Sequence, residues 1–253
     1  TVEQKAIIQA AIKCGGRNIY LEEEPKVAAV GVGLDIFSPI GNMVIDIGGG
    51  TSDIAVLSMG STVTSRSIKL AGDNMDFAIS EYIKDKYQLI IGERTAEAIK
   101  MSLGSAVEVE NESVMIVKGR DMTTGLPKTV TIYTNEIYHC LKEMLDTIGE
   151  EARLVLEATP PELAGDIIER GVMVTGGGAL INGIDRMLSE KLQVPVMIAE
   201  NPLQSVAIGT GILLNRIKSE RGIFAAIRRI FSAKKVVMNP TAHMIDEERT
   251  EES

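Results

Sequence analysis

The segment VIDIGGGTSDIAVLSMG, Val44–Gly60, constrains the fold more than any other part of this chain. Two apolar runs typical of buried strands are separated by three consecutive glycines and by Thr51, Ser52 and Asp53. Because glycine is a poor strand residue, three in a row need a reason. Either the chain makes a plain tight hairpin there, or its backbone approaches a ligand such as a phosphate closely.

A second glycine triplet, Gly176–Gly178, also follows an apolar strand and is predicted to open a helix. Without Cβ atoms, backbone N–H groups can point into open space and bind anionic oxygens, which a helix N-terminus also favours. Neither this triplet nor Gly48–Gly50 fits GxxxxGK[ST] or GxGxxG, so the common nucleotide-binding folds are not supported. A structural turn is an equal alternative for either triplet alone, whereas the pair favours one nucleotide held between them.

Asp46 lies in the strand just before the first triplet. An ionised carboxylate among apolar neighbours is costly unless it is paired or serves a metal. Mg²⁺ is often held by one carboxylate together with phosphates and water, which suits Asp46. The alternative is an aspartate whose side chain caps the glycine turn.

Strands alternate with helices over most of the chain, which predicts an α/β architecture. Residues 106–137 alternate apolar and polar side chains around turns, which predicts a small β-rich insert. Ile19–Leu21 reads as a short buried strand, and the stretch from Asp166 to the second triplet reads as a strand as well.

Composition limits the class of protein. The chain has 253 residues and a net charge of −9, which argues against bulk nucleic-acid binding. Cys14 and Cys140 are expected to be buried thiols in a reducing compartment. No apolar run reaches the length of a membrane span and no signal peptide is visible. The first residue is Thr1, in the middle of a helical pattern, so we expect a fragment.

Six stretches of the sequence form one recognisable set, in this order: DIGGGTSDIAVLSMG, TSRSIKLAGDNMDFAI, IGERTAEAIK, TGLPKT, TPPELAGDIIERGVMVTGGGALINGIDRML and NPLQSVAIGTG. Together they resemble the MreB/Mbl family of bacterial actin homologues, from residue 1 to about residue 215. The resemblance implies an actin-like (ribonuclease H-like) ATPase fold, present here as its second half and part of its first, with a small β-rich α/β insert subdomain.

The resemblance also implies a domain organisation. Residues 1–39 would end the first large subdomain and include a linking helix. Residues 40–76 and 139–205 would form the second large α/β subdomain, with residues 77–138 as the small inserted one. Residues 206–235 would be C-terminal helices that return to the first subdomain, and 236–253 a disordered acidic tail.

The family's cofactors, ATP and Mg²⁺, are implied in the same way. Asp46 would lie in the magnesium shell, through water. Glu24 and Thr51 would be catalytic, with Glu24 orienting the water that attacks the γ-phosphate. A solvated acid in the run Glu22–Glu24 is the alternative for Glu24, and a solvated helical face is the alternative for the Glu97 and Lys100 pair. The implied ATP-binding residues are Gly48, Gly49, Gly50, Thr51, Gly72, Asp73, Glu97, Lys100, Gly176, Gly177 and Gly178.

The stretch RGIFAAIRRIFSAKK, residues 221–235, combines an apolar helical stripe with bases and contains no acid. A short basic amphipathic helix of this kind can lie on an anionic membrane surface. The alternative is a terminal helix that packs against another subdomain. The candidate membrane residues are Ile223, Phe224, Ile227, Arg228, Arg229, Ile230 and Phe231.

The function implied by the resemblance is an actin-like cytoskeletal ATPase. It would polymerise into filaments at the inner, cytoplasmic face of the cell membrane, guide cell-wall synthesis and maintain rod shape. Its partners would be copies of itself, a membrane-anchored cytoskeletal adaptor, wall-synthesis proteins and the anionic membrane surface, with no nucleic acid. The alternatives are a sugar kinase or a chaperone-type ATPase of the same superfamily. The family's first phosphate loop does not occur in these residues, so we expect this chain alone to hydrolyse ATP weakly or not at all.

Overall fold

The computed structural model describes residues 2–217 and 219. One compact unit ends at Thr210 and a second begins at Gly211. The helices are α1 (Val2–Lys13), α2 (Glu24–Gly31), α3 (Gly72–Tyr87), α4 (Glu93–Leu103), α5 (Thr134–Glu157), α6 (Pro161–Arg170), α7 (Ile184–Leu192) and α8 (residues 205–217). The strands are β1 (Asn42–Ile47), β2 (Ser52–Ser58), β3 (Ser61–Ile68), β4 (Leu89–Ile90), β5 (Val114–Asp121), β6 (Pro127–Tyr133), β7 (Val172–Thr175) and β8 (Val196–Ile198).

A five-stranded sheet in the order β3-β2-β1-β7-β8 forms the centre of the first unit. β1 pairs antiparallel with β2 and parallel with β7, and all six of its residues are buried. A strand buried on both faces needs a continuous apolar run, which is what the sequence around Asp46 supplies. The predicted hairpin is therefore confirmed, with the glycine triplet as its turn.

A second sheet, β4-β5-β6, confirms the predicted β-rich insert. Strands β5 and β6 form its hairpin, and the two residues of β4 add an edge strand. Val117 and Ile132 turn inward from this hairpin and belong to the same hydrophobic core as the larger sheet. The insert is thus joined to the rest of the first unit by apolar packing.

Helix α5 supplies the longest stripe of this core. Ile137, Leu141, Leu145 and Ile148 recur at helical spacing and are almost fully buried. They place α5 against β2 and β3 of the large sheet and against α3 and α7. The predicted subdomain boundaries at residues 76/77 and 138/139 lie inside α3 and α5, and the division into subdomains stays a prediction.

Three local predictions are wrong. Ile19–Leu21 is not a strand, because a strand needs a hydrogen-bonding neighbour and none of the described strands pairs with it. Residues 166–170 form the end of α6, since Pro161 starts a helix and Gly171, at φ 81°, stops it. Cys14 is exposed rather than buried, because α1 buries none of its residues.

The predictions for residues 221–235 and 236–253, a membrane-binding helix and a disordered tail, concern segments outside the described residues.

Helices α2 and α8 touch through backbone atoms. A Cβ built on Gly31 would overlap the carbonyl oxygen of Ser205, and a Cβ built on Gly209 would overlap that of Val27. Side chains at these two glycines are therefore incompatible with the observed helix separation. This contact fixes the position of α2, whose first residue is Glu24.

We expect Gly209→Ala to lower the free energy of unfolding by about 1–3 kcal/mol, because the added methyl group forces the two helix backbones apart. Urea denaturation of the complete protein that contains this chain measures the change. Gly165→Ala is the matched control, since a Cβ on Gly165 in α6 meets nothing within 4 Å among the described residues. That control should raise stability by up to about 1 kcal/mol, and equal effects of the two variants would contradict the contact.

Candidate nucleotide site

The first glycine triplet forms the turn between β1 and β2. The amide of Gly48 donates to the carbonyl of Thr51 at 2.9 Å and closes the turn. The carbonyls of Gly48 and Gly49 accept from the amides of Gly72 and Asp73, at 3.1 and 2.8 Å, so the turn rests on the first residues of α3. In residues 2–217 and 219, the amides of Gly49 and Gly50 have no hydrogen-bond partner. Two exposed donors therefore project from the turn.

The second triplet lies directly beside the first. β7 runs parallel to β1, with Thr175 opposite Asp46, so both triplets follow the carboxyl ends of neighbouring strands. Crevices at such strand ends are where ligands bind in α/β sheets. The second triplet opens a four-residue 3₁₀ turn, Gly177–Leu180, and α7 begins only at Ile184, which corrects the prediction that it opens a helix directly.

The two triplets need glycine for different reasons. A Cβ on Gly176, at φ 80°, would overlap Asp46, and one on Gly178 would overlap the Ile47 side chain, so the fold itself requires both. A Cβ on Gly50 meets nothing within 4 Å of the described residues, and one on Gly49 meets Asp73 Oδ1 at an ordinary 3.4 Å. Neither residue has the left-handed φ that favours glycine. Neither packing among the described residues nor a left-handed φ therefore requires glycine at positions 49 and 50, and we call this open backbone segment the cradle.

Asp46 is the buried charge of the site. Only 4% of its surface is exposed, and its Oδ2 atom has no hydrogen-bond partner among the described residues. Burial, together with the charges of Glu24 and Asp53, raises the pKa of Asp46 from 3.8 to about 6. A buried carboxylate oxygen without a donor is costly, and a cation or its bound water would satisfy it. The turn-capping alternative leaves Oδ2 unexplained.

Asp46 therefore fits Mg²⁺, which takes few carboxylates and keeps several waters. In the described part of the chain, no three His, Cys, Asp or Glu side chains are grouped to hold a metal by themselves. A cation at Asp46 would therefore need further oxygens from water or phosphate.

The two predicted catalytic residues lie near the end of β1 that carries Asp46. Glu24 is exposed at the start of α2, and its charge contributes to the raised pKa of Asp46. The hydroxyl of Thr51, at the end of the turn, donates to Asp53 Oδ2 at 2.8 Å. The structure thus brings Glu24, Asp46 and Thr51 to one end of β1.

The predicted nucleotide-binding residues on α3 and α4 differ in how far other protein atoms already engage them. Lys100 Nζ donates to the Gly72 carbonyl at 3.0 Å and pairs with Asp76 at 2.8 Å, so its charge is engaged beneath the start of α3. The amides of Gly72 and Asp73 are used by the glycine turn. Glu97 is exposed on α4. Lys100 is therefore not part of a solvated face, whereas Glu97 is free to meet a ligand or solvent.

Sequence reasoning missed two acidic residues. Asp53 contacts Thr51 and lies opposite Asp46 across the hairpin. Asp76 holds Lys100 through one oxygen, while its Oδ1 is buried without a partner in the described residues. Counting residue pairs outward from the four-residue turn 48–51 would have placed Asp53 opposite Asp46, whereas the Asp76–Lys100 pair depends on how α3 packs on α4.

Known structures resemble this chain closely. A crystal structure of MreB5 of Spiroplasma citri bound to ADP matches 87% of this chain and 67% of that chain, with a TM-score of 0.84 and 43% identity. A structure of the same protein bound to AMPPNP matches with the same TM-score. The MamK double helical filament matches 76% of this chain and 58% of that chain with a TM-score of 0.64 and 21% identity, which shows the fold alone. The fold is thus actin-like, as predicted.

Sequence comparisons define the family. The model of the MreB/Mbl protein family matches residues 1–222. The cell shape-determining protein Mbl of Bacillus cereus is 59% identical over 86% of this chain, and MreB of Escherichia coli is 44% identical over 87%. The chain belongs to the MreB/Mbl family. It spans 65% and 64% of the lengths of these two curated relatives.

None of the helices in the described residues has the length and apolar character needed to cross a membrane.

We expect Asp46→Asn to stabilise the protein without nucleotide or metal, by about 1–3 kcal/mol at pH 8, because it removes a buried ionised carboxylate. Folded Asp46, with its pKa of about 6, holds its proton more tightly than the unfolded residue at 3.8. The wild type therefore gains stability as the pH falls through this interval, and the advantage of the variant shrinks.

Urea denaturation of the complete protein in EDTA, from pH 8 to pH 4.5, follows the difference between the two proteins. Asp35→Asn, at an exposed aspartate, is the control for the loss of one carboxylate. A constant advantage of Asp46→Asn across this range would contradict the buried charge.

Proposed function

We propose that this chain is the nucleotide-binding part of an actin-like cytoskeletal ATPase. The observation that carries the proposal is the open cradle of Gly49 and Gly50, together with the buried Oδ2 atom of Asp46, which has no partner among the described residues. Free amides bind phosphate oxygens, and a carboxylate beside them suits a hydrated cation. The nucleotide-bound structures of MreB5, at 43% identity, support the same ligand class for this chain.

Each residue of the site has a distinct role in this proposal. The amides of Gly49 and Gly50 hold phosphate oxygens, and Asp46 anchors Mg²⁺ through water. When bound, Mg²⁺ neutralises charge on the phosphates. Glu24 orients the attacking water from α2, and Thr51 contacts it from the opposite side. Hydrolysis joins the water oxygen to the γ-phosphorus while the bond to the bridging oxygen breaks, so ADP and inorganic phosphate leave.

The cellular role is proposed from family membership. Relatives named for determining cell shape support a cytoskeletal role. We also propose that the protein assembles with copies of itself. We further propose filaments at the inner face of the cytoplasmic membrane that guide cell-wall synthesis and maintain rod shape. The partners would be a membrane-anchored adaptor and wall-synthesis proteins. The basic segment 221–235 would contribute to membrane attachment.

Gly50→Ala is expected to weaken ATP binding by at least about tenfold, because the methyl group occupies the space that a phosphate would approach. Isothermal titration of ATP with Mg²⁺ into the complete protein measures the affinity. The thermal midpoint should stay unchanged, since the fold has room for the methyl group.

Gly92→Ala is the matched control, because Gly92 is an exposed glycine whose Cβ position is equally open among the described residues. That control should bind ATP as the wild type does. Wild-type affinity of Gly50→Ala would exclude the cradle as the phosphate site.

Reversal of two charges, Arg228→Glu with Arg229→Glu, is expected to reduce binding to phosphatidylglycerol vesicles by at least about tenfold. Each base near an anionic surface contributes about 1 kcal/mol. Vesicle sedimentation of the complete protein measures the bound fraction. The control is Lys118→Glu with Arg120→Glu on the exposed face of β5, which makes the same change in net charge. Equal losses in the two double variants would contradict a specific membrane role for residues 221–235.

A further inference from the structure

The segment Thr51-Ser52-Asp53 divides its side chains between the two faces of the hairpin. Ser52 is fully buried and its hydroxyl donates to the Leu70 carbonyl at 2.6 Å, on the core side. Thr51 and Asp53, which alternate with it, lie together on the other face and are joined by their hydrogen bond of 2.8 Å. Asp53 thus touches a residue of the proposed site through one defined contact.

The direction of this hydrogen bond determines what Thr51 can offer to a ligand. A threonine hydroxyl has one proton and two lone pairs. Since an ionised Asp53 can only accept hydrogen bonds, the Thr51 hydroxyl must donate its one proton to Asp53. The Thr51 oxygen then presents lone pairs to any third group. It would accept a hydrogen bond from water and would repel a phosphate oxygen.

We infer that Asp53 is a positioning residue, which fixes the Thr51 hydroxyl as a hydrogen-bond acceptor for the water that attacks the γ-phosphate. This inference rests on the proposed function. Glu24 would orient the same water from α2. In this arrangement Asp53 would affect the attacking water through its contact with the Thr51 hydroxyl, not by contacting the water or the nucleotide.

A purely structural role explains a carboxylate at position 53 less well than the positioning role does. Asp53 lies opposite Asp46 across the antiparallel pair, and like charges at such positions destabilise a sheet. The charge of Asp53 also contributes to the raised pKa of Asp46. An asparagine or serine at position 53 could hold the turn without this repulsion. A carboxylate costs stability there and adds a strong acceptor that cannot donate.

The test compares ATP hydrolysis, ATP affinity and thermal midpoint in the complete protein and in Asp53→Asn. We expect the hydrolysis rate at saturating ATP to fall about tenfold, because a charge-assisted hydrogen bond is replaced by a neutral one. The dissociation constant of ATP should stay within about twofold, and the thermal midpoint should stay equal or rise. A merely structural residue would lower the midpoint instead.

A double-variant comparison isolates the route through Thr51. In a Thr51→Val background, the further change Asp53→Asn should alter the rate by less than about twofold, since the hydroxyl that it positions is gone. Asp35→Asn controls for the loss of one negative charge at an exposed site. Asp53→Ser, with an uncharged acceptor, is judged by the same criteria if Asp53→Asn does not fold.

The outcomes separate the inference from the proposed function. If the wild type binds and hydrolyses ATP and Asp53→Asn keeps its rate, the inference is wrong and the proposed function stands. The inference is also wrong if Asp53→Asn loses affinity in proportion to rate, or loses the same rate in the Thr51→Val background. If the wild type neither binds nor hydrolyses ATP, the proposed function fails and the inference fails with it.

Discussion

The pairing of β1 with a different strand on each side is the constraint on which the rest of the site depends. Its antiparallel neighbour β2 brings Asp53 opposite Asp46, and its parallel neighbour β7 brings Thr175 and the second glycine triplet to the same end. Residues more than a hundred positions apart in sequence therefore meet around one carboxylate. A shift of either pairing by one residue would turn the side chains to opposite faces and disperse the group.

The buried charge of Asp46 lowers the stability of the folded protein. Asp46 is enclosed by the sheet, lacks a donor at Oδ2 among the described residues and faces the negative charges of Glu24 and Asp53. The two neighbouring charges and the burial of Asp46 all disfavour its ionised form, and a bound cation would offset this cost. Such stored repulsion is typical of sites that bind charged ligands tightly, because the ligand relieves it.

Much of the fold follows from local patterns, whereas part of the site depends on packing. The hairpin around Gly48–Gly50 and the β-rich insert could be predicted because the spacing of apolar residues indicates strands directly. Ile19–Leu21 was misread because a short apolar run does not reveal whether a partner strand exists. The Asp76–Lys100 ion pair spans two helices that meet only in the folded chain, so no local pattern predicts it. The two glycine triplets look alike in sequence, and only the surrounding atoms distinguish open space from tight packing.

The contact between α2 and α8 limits how Glu24 can move. Gly31 and Gly209 let the two backbones touch, and the residues on either side of each glycine carry side chains. Sliding α2 along α8 by one residue, a rise of about 1.5 Å, would press a side chain into a peptide group. Glu24 begins the helix that this contact holds. A change in the separation of the two backbones at Gly31 and Gly209 would therefore be passed along α2 to the carboxylate whose charge acts on Asp46.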